Sequence, residues 1–210
     1  FLTNDEVSQW ADQSAIAKGS VAGDIRYVDV TGDGKVTVDD KTYLGSRIPK
    51  YTFGLNLGAE YKGFDFSMLL QGVAGVKGYM SLFAGHAFYQ EGSIQKWQME
   101  NCWNVQTSNR YPEYPRLEVM SNAGSNNTLT SDYWVIDASF VKVRNIQLGY
   151  TLPETLTKKF GSSGLRVYLS LDNPFTFSSY RKGWDPENTN NNAQYYPTLS
   201  TYTLGLSLKF

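Results

Sequence analysis

From Thr201 to Phe210 the sequence alternates without a break: Tyr202, Leu204, Leu206, Leu208 and Phe210 fall on one face, Thr201, Thr203, Gly205, Ser207 and Lys209 on the other. A period of two belongs to a β-strand with one apolar and one polar side, and no helix accommodates it. About ten residues of this kind reach across a hydrocarbon layer as a tilted strand, with an aromatic residue at its boundary. A soluble sandwich also ends in strands of this type, so the rest of the chain has to decide between the two.

Composition favours the first. Only 19% of the 210 residues are charged, while 15 Tyr, 11 Phe and 19 Gly give the balance of a barrel wall rather than of an ordinary enzyme. A formal net charge of -1 excludes a nucleic-acid binder, which needs a basic surface to neutralise phosphates. No apolar run approaches the roughly 18 residues of a membrane helix, so any crossing is made by strands. The single cysteine, Cys102, excludes an internal disulfide and any multi-cysteine metal site. Phe1-Leu-Thr-Asn-Asp5 has neither a basic nor an apolar leader region, so the chain is expected to begin after processing or to be a piece of something longer.

Residues 1–50 are polar and rich in Gly and Asp, with a short helix expected over Asn4 to Ala15, capped by Asn4 or Asp5. Strands then take over. Tyr51, Phe53, Leu55, Leu57, Ala59 and Tyr61 alternate with small or polar residues. Lys62-Gly63 supplies a two-residue hairpin turn, and Phe64, Phe66, Met68 and Leu70 continue the alternation, Leu69 excepted. Residues 73–133 read as one long functional loop. A strand follows from Trp134 to Tyr150, its parity changing between Val143 and Ile146, which a bulge near Arg144-Asn145 reconciles. Pro153 and Gly161-Ser-Ser-Gly164 form a turn with one helical turn over Glu154 to Lys159. Leu165, Val167, Leu169 and Leu171 alternate next, and a second polar loop, 177–200, precedes the terminal strand.

The connections alternate between long and short, as in outer-membrane barrels, and all three long segments (1–50, 73–133 and 177–200) fall on the external side. Five strands cannot close, and an open edge in lipid leaves backbone groups unpaired, so residues 51–210 are expected to be the C-terminal portion of a larger barrel. Leu55, Leu57, Phe66, Met68, Val167, Leu169 and Leu206 then face lipid, whereas Asn56, Ser67, Ser170 and Ser207 face the lumen, with Glu60, Asp65 and Lys209 on the lumen side near the strand ends.

Within the first loop, Asp29-Val-Thr-Gly-Asp-Gly-Lys-Val-Thr-Val-Asp-Asp40 has the spacing of a calcium loop. The side chains of Asp29, Thr31, Asp33 and Thr37, the Lys35 carbonyl and the Asp40 carboxylate supply hard oxygens, and Gly34 sits at the sharp bend. The alternative is an Asp/Gly turn cluster held by its own hydrogen bonds. Trp97, Trp103, Tyr111, Tyr114, Trp184, Tyr195 and Tyr196 lie in the loops, where aromatic faces stack on sugar rings or peptide side chains; the alternatives are loop packing and an interface girdle, the latter also for Tyr51 and Trp134. His86, the only histidine, has no nucleophile motif beside it, so no catalysis is expected.

Four stretches in order carry a family resemblance: Gly23-Asp-Ile-Arg-Tyr-Val-Asp-Val-Thr-Gly-Asp-Gly34; Pro49 to Leu57 with Tyr61-Lys-Gly-Phe-Asp65 and Gln71-Gly72; Ser139-Phe-Val-Lys-Val-Arg-Asn-Ile-Gln-Leu-Gly-Tyr-Thr-Leu-Pro153; and Leu165 to Tyr168 with Asp172-Asn-Pro-Phe-Thr-Phe177 and Gly183-Trp-Asp-Pro-Glu187. Together they make the chain resemble the SusC/RagA family of TonB-dependent outer-membrane transporters of Bacteroidota. Thr31 departs from the Asn that the family places there. The resemblance implies a 22-stranded up-and-down barrel in the cell outer membrane, a plug and a TonB-contacting segment in the parent protein, a SusD-like lipoprotein partner and import of oligosaccharides or peptides. The alternative from a different class is a soluble calcium-binding β-module for adhesion or glycan binding, in which the apolar faces would pair into a sandwich core.

Overall fold

A computed structural model describes residues 1–106, 112–119, 125–188, 190–191 and 195–210. Its main feature is a five-stranded antiparallel sheet. In chain order the strands are β1 (Tyr51–Tyr61), β2 (Phe64–Ala74), the short β3 (Lys77–Met80) and β4 (Val135–Asp137), β5 (Phe140–Thr151), β6 (Gly164–Ser178), the two-residue β7 (Asn190–Asn191) and β8 (Thr201–Lys209). The five long ones lie in the order β1-β2-β5-β6-β8, each antiparallel to its neighbour. This is the up-and-down meander of a barrel wall, and strands of 9 to 15 residues suffice to span a bilayer.

The first hairpin turns at Lys62 and Gly63, whose φ angles of 49° and 86° are the paired positive values of a type I′ turn. From there one register carries the alternation through the sheet. Leu57 pairs with Met68, Met68 with Ile146, Ile146 with Leu171 and Leu171 with Tyr202; one step along, Ser67 pairs with Gln147 and Gln147 with Ser170. All seven residues expected on the apolar side therefore share one face, and Asn56, Ser67, Ser170 and Ser207 share the other. The apolar face is bare: Leu55 is 50% exposed, Leu204 76% and Leu206 68%. The sandwich alternative required these side chains to be covered.

The parity change in β5 is a bulge, as expected. Pairing of β5 with β6 skips Arg144, and pairing with β2 shifts between Leu69 and Leu70. The sequence reading did not foresee the matching irregularity in β6. Val143 pairs with Phe175 and Asn145 with Asp172, leaving Asn173 and Pro174 as the extra residues. Asn173 takes a left-handed φ of 49°, which asparagine tolerates, and Pro174 has no N–H to contribute to a ladder.

Several boundaries differ from expectation. The first helix is only Asn4–Gln9, because Thr3, not Asn4 or Asp5, accepts the Glu6 N–H as its cap, and Trp10 leaves the helical region with ψ 164°. β2 runs on to Ala74 because Val73 and Ala74 still pair with Thr52 and Tyr51. β6 extends to Ser178 because Thr176 and Phe177 pair with Lys142 and Val141. The expected Trp134–Tyr150 strand is interrupted where Asp137 Oδ1 accepts the Ser139 N–H at 2.8 Å, and β5 starts afresh at Phe140.

Residues 73–133 are not one irregular loop. The chain divides into two compact units, Phe1–Leu44 with Tyr79–Val135 and Asn190–Gln194, and Gly45–Gly78 with Ile136–Thr189 and Tyr195–Phe210. In the first, Asp24 is almost fully buried and accepts from Arg116 Nε at 2.6 Å and Asn127 Nδ2 at 2.9 Å, tying the amino-terminal segment to residues about a hundred positions on. Ala17, Tyr27 and Val36 form a small core there. Helix Lys96–Asn101 is anchored by the buried Gln98, whose amide donates to the Gly85 carbonyl at 2.9 Å. In the second unit, Val76, Ala138 and Tyr180 form the core, with Trp184 packed against it.

Candidate functional site

The polar face of the sheet carries a charged cluster built by the two bulges. Lys142, its side chain 3% exposed, places Nζ 2.9 Å from Asp185 Oδ1 and 2.6 Å from Glu187 Oε2. Arg144, displaced from the ladder by the bulge, also bonds Glu187 and donates from Nε to Gln71 Oε1 at 2.7 Å and from Nη1 to Asn173 Oδ1 at 3.3 Å. Two cations thus meet two carboxylates, and the acids come from Gly183-Trp-Asp-Pro-Glu187, in the connection after β6. Desolvation would raise both acids, yet Thr198 and Lys142 at Asp185, and Arg144 and Lys142 at Glu187, hold them below their ordinary values.

The loop held in this way roofs a cavity of about 470 Å³. Its floor is the polar side of β5 and β6, including Lys142, Thr176 and Ser178; its roof includes Arg181, Lys182, Trp184 and Thr198. Of the aromatic residues singled out from sequence, Trp184 and Tyr195 meet here, their rings 6.2 Å apart, and the Tyr195 hydroxyl accepts the Asp185 N–H at 2.9 Å. Further along the same face, Arg166 forks onto Asp65 with Nε 2.9 Å from Oδ2. That pair passes over Gly149, the β5 residue between the two strands, where any Cβ would collide with both groups.

Of the other aromatic candidates, Tyr196 is exposed in the second unit, and Trp97, Trp103 and Tyr114 lie in the first. Trp97 stands edge-on to Tyr114 with ring centroids 5.3 Å apart and donates to Gln95 Oε1. Trp103 donates to the Leu2 carbonyl at 3.2 Å and lies over Gly23, whose φ of 90° and missing Cβ allow the approach. Tyr111 falls outside the described residues. Trp134, read from sequence as a girdle residue, is 3% exposed and packed against His86, Tyr114 and Tyr133. Its indole N–H donates to the Asn127 carbonyl, an interior role that no local pattern signals. His86 is buried, neither of its ring nitrogens has a hydrogen-bond partner among the described residues, and burial pushes its pKa down to about 4.

In the Asp29–Asp40 loop the structure draws Asp29 and Asp40 together around Thr31, whose hydroxyl lies 3.3 Å from Asp29 Oδ1 and 3.1 Å from Asp40 Oδ1. Asp29 accepts the Gly32 and Gly34 N–H groups. Asp40 accepts those of Thr37, Thr31 and Val30, and these bonds hold its carboxyl down to about 2. Asp33 turns instead to the Lys35 N–H at 2.9 Å, and the Thr37 hydroxyl caps the turn Val38–Asp40. Among the described residues no third His, Cys, Asp or Glu joins Asp29 and Asp40. The loop therefore fits a calcium ion with part of its oxygens, and fits the self-bonded turn with the side chains of Asp29, Thr31, Asp33, Thr37 and Asp40.

No family model matches the chain. It is 32% identical over 199 residues to TonB-dependent receptor P3 of Formosa agariphila, covering 88% of this chain and 19% of that protein. It is 32% identical over 191 residues to TonB-dependent receptor SusC of Bacteroides thetaiotaomicron, covering 88% of this chain and 17% of the relative. Among solved structures, a chain of the RagAB peptide importer in the "open-open" state superposes with a TM-score of 0.63 at 26% identity, over 88% of this chain and 20% of that one. The chain thus spans about a fifth of the length of the relatives it matches.

Proposed function

Because the chain belongs to the SusC/RagA-type TonB-dependent receptors and forms part of their barrel wall, we propose that it serves outer-membrane import of oligosaccharides or peptides. The observation that carries this reading is the continuous antiparallel pairing of all five strands, with large apolar side chains bare on one face and a charged cluster and cavity at the bulges on the other. Lipid is the partner of the first face and the transport path of the second. The remainder of the barrel pairs with β1 and β8, TonB acts through the parent protein, and a SusD-like lipoprotein closes the external side.

Passage needs no catalyst, and among the described residues neither ring nitrogen of His86 has the orienting partner of a general base. The test is uptake. Loss of the intact receptor should abolish accumulation of a labelled oligosaccharide or peptide and release the lipoprotein from co-purification, and full complementation should restore both. Unchanged accumulation of every labelled oligomer offered would refute import by this receptor.

Calcium at Asp29–Asp40 is a separate proposal, supported by the oxygen spacing and by the convergence of Asp29, Thr31 and Asp40. Ion binding would draw Asp33 away from the Lys35 N–H. Calorimetric titration of the receptor with calcium checks it: heat that is lost in Asp29→Asn supports the site, and no heat at millimolar calcium refutes it.

A further inference from the structure

Three parts of the second unit meet at Asp185. Its carboxylate accepts from Lys142 Nζ at 2.9 Å, from the Thr198 hydroxyl at 2.6 Å and from the Glu187 N–H at 3.1 Å. Its own N–H donates to the Tyr195 hydroxyl at 2.9 Å. The barrel wall, the middle of the connection after β6 and the return of that connection are thereby joined at one residue, with a side chain 13% exposed. The wall side of this joint is held firmly. Lys142 sits in the ladder between Gln71 and Thr176, and Arg144, the second cation on Glu187, is fixed by Gln71 and Asn173. Both ends of the connection are pinned too. Tyr180 is 6% exposed in the core with Val76 and Ala138, and the Ser200 hydroxyl donates to the Asn173 carbonyl at 2.8 Å. A lid that swings is drawn from segments with few buried contacts, set between hinges. Residues 181–188 are built the other way, since lifting them separates Lys142, 3% exposed, from both of its carboxylates at once.

We propose that residues 181–188 are a fixed arm on the transport side of the wall, joined to it through Asp185, and that this arm stays down throughout the import cycle. Solutes then pass an immobile surface here, and opening and closing belong to other parts of the receptor. The proposal rests on the import reading and adds how this stretch of the path behaves.

Trypsin added to whole cells that make the intact receptor reads the arm as the rate of cleavage after Arg181 or Lys182, scored by mass spectrometry. The rate is compared between energised cells supplied with casein peptides and malto-oligosaccharides and cells treated with an uncoupler. It should agree within about twofold, because a segment that never lifts has no open population for energy to enlarge. Asp185→Ala should be cleaved roughly tenfold faster or more in both conditions. Thr198→Val, which removes one exposed hydrogen bond and no charge, should be cleaved severalfold faster and keeps the comparison available if Asp185→Ala fails to assemble. A change beyond about twofold on energising would show that the arm moves in the cycle and overturn the proposal. Cleavage no faster in either variant than in the parent would overturn it as well, by removing Asp185 as the joint. The import reading fails separately, when loss of the receptor leaves accumulation of labelled oligomers unchanged.

Discussion

Replacing Lys142 by Met removes one charge and keeps most of the stem, which isolates the electrostatic role of the residue. Its side chain is 97% enclosed, against Asp185 at 13% and Glu187 at 28% exposure, so the substitution leaves two largely enclosed carboxylates, Asp185 with the Thr198 hydroxyl and the Glu187 N–H and Glu187 with Arg144. Breaking a buried pair by removing one partner costs about 3 to 5 kcal/mol. Much of the Glu187 charge remains matched by Arg144, so the lower end, about 3 kcal/mol, is the expected loss. The loss falls on the loop, because β5 keeps its ladder to β2 and β6 on either side. A drop of about 3 kcal/mol raises the open population of residues 181–188 roughly a hundredfold. Limited proteolysis of the receptor in detergent reads this directly as the rate of cleavage after Arg181 or Lys182. Adding Asp185→Asn and Glu187→Gln to Lys142→Met should recover part of the protection, since no unmatched charge is then enclosed. Cleavage no faster in Lys142→Met than in the parent would show that the cluster does not hold the loop.

Leu206→Arg should impair assembly by about 2 to 4 kcal/mol on the lipid face while Ser207→Arg, one residue away on the polar face, should be tolerated; heat-modifiable migration on gels compares them, and equal tolerance would refute the membrane reading. Gly149→Val should lower barrel stability as much as Arg166→Ala does, because its side chain takes the space of the Asp65–Arg166 pair, and combining the two should add little; full additivity in thermal unfolding would argue against that coupling. The buried His86 has its pKa lowered from 6.5 to about 4, so its contribution to stability is complete above pH 6.5 and fades as pH falls toward 4. Trp fluorescence of the receptor should show that loss, His86→Phe should flatten it, and an identical acid profile in the variant would remove His86 as its source. Asp185 and Glu187 have depressed values, so the loop should stay protected to about pH 4.5 and open only below, with the carboxylates protonated.

The long strands were legible because each has one bare apolar side, and a two-residue period survives in sequence wherever one face meets a different solvent from the other. Even the β5 bulge could be read, since an extra residue at Arg144 flips the parity of everything after it. The β6 bulge escaped because Leu165 to Leu171 already gave a satisfactory alternation; Asn173-Pro174, a residue at ease with positive φ followed by one without an N–H, was the available signal. Lys142 escaped for another reason. Nothing near it in sequence distinguishes it from an ordinary polar-face residue, and its partners lie 43 and 45 positions away. The aromatic residues of the long segments were easy to notice and hard to place, because Trp134 and Tyr114 fill interiors while Trp184 borders a cavity, and composition does not separate those roles.

The two outermost strands, β1 and β8, each have a single neighbour, β2 and β6, among the described residues. Each offers a full row of amide donors and carbonyl acceptors to whatever strand comes alongside. A segment with two such seams behaves like a stave rather than a vessel. Produced by itself it would template onto further copies of the same segment and precipitate, whereas supplied together with separately made flanking staves it has the means to complete a ring. The seam before Tyr51 is thus a natural place to split the parent receptor for reassembly from fragments.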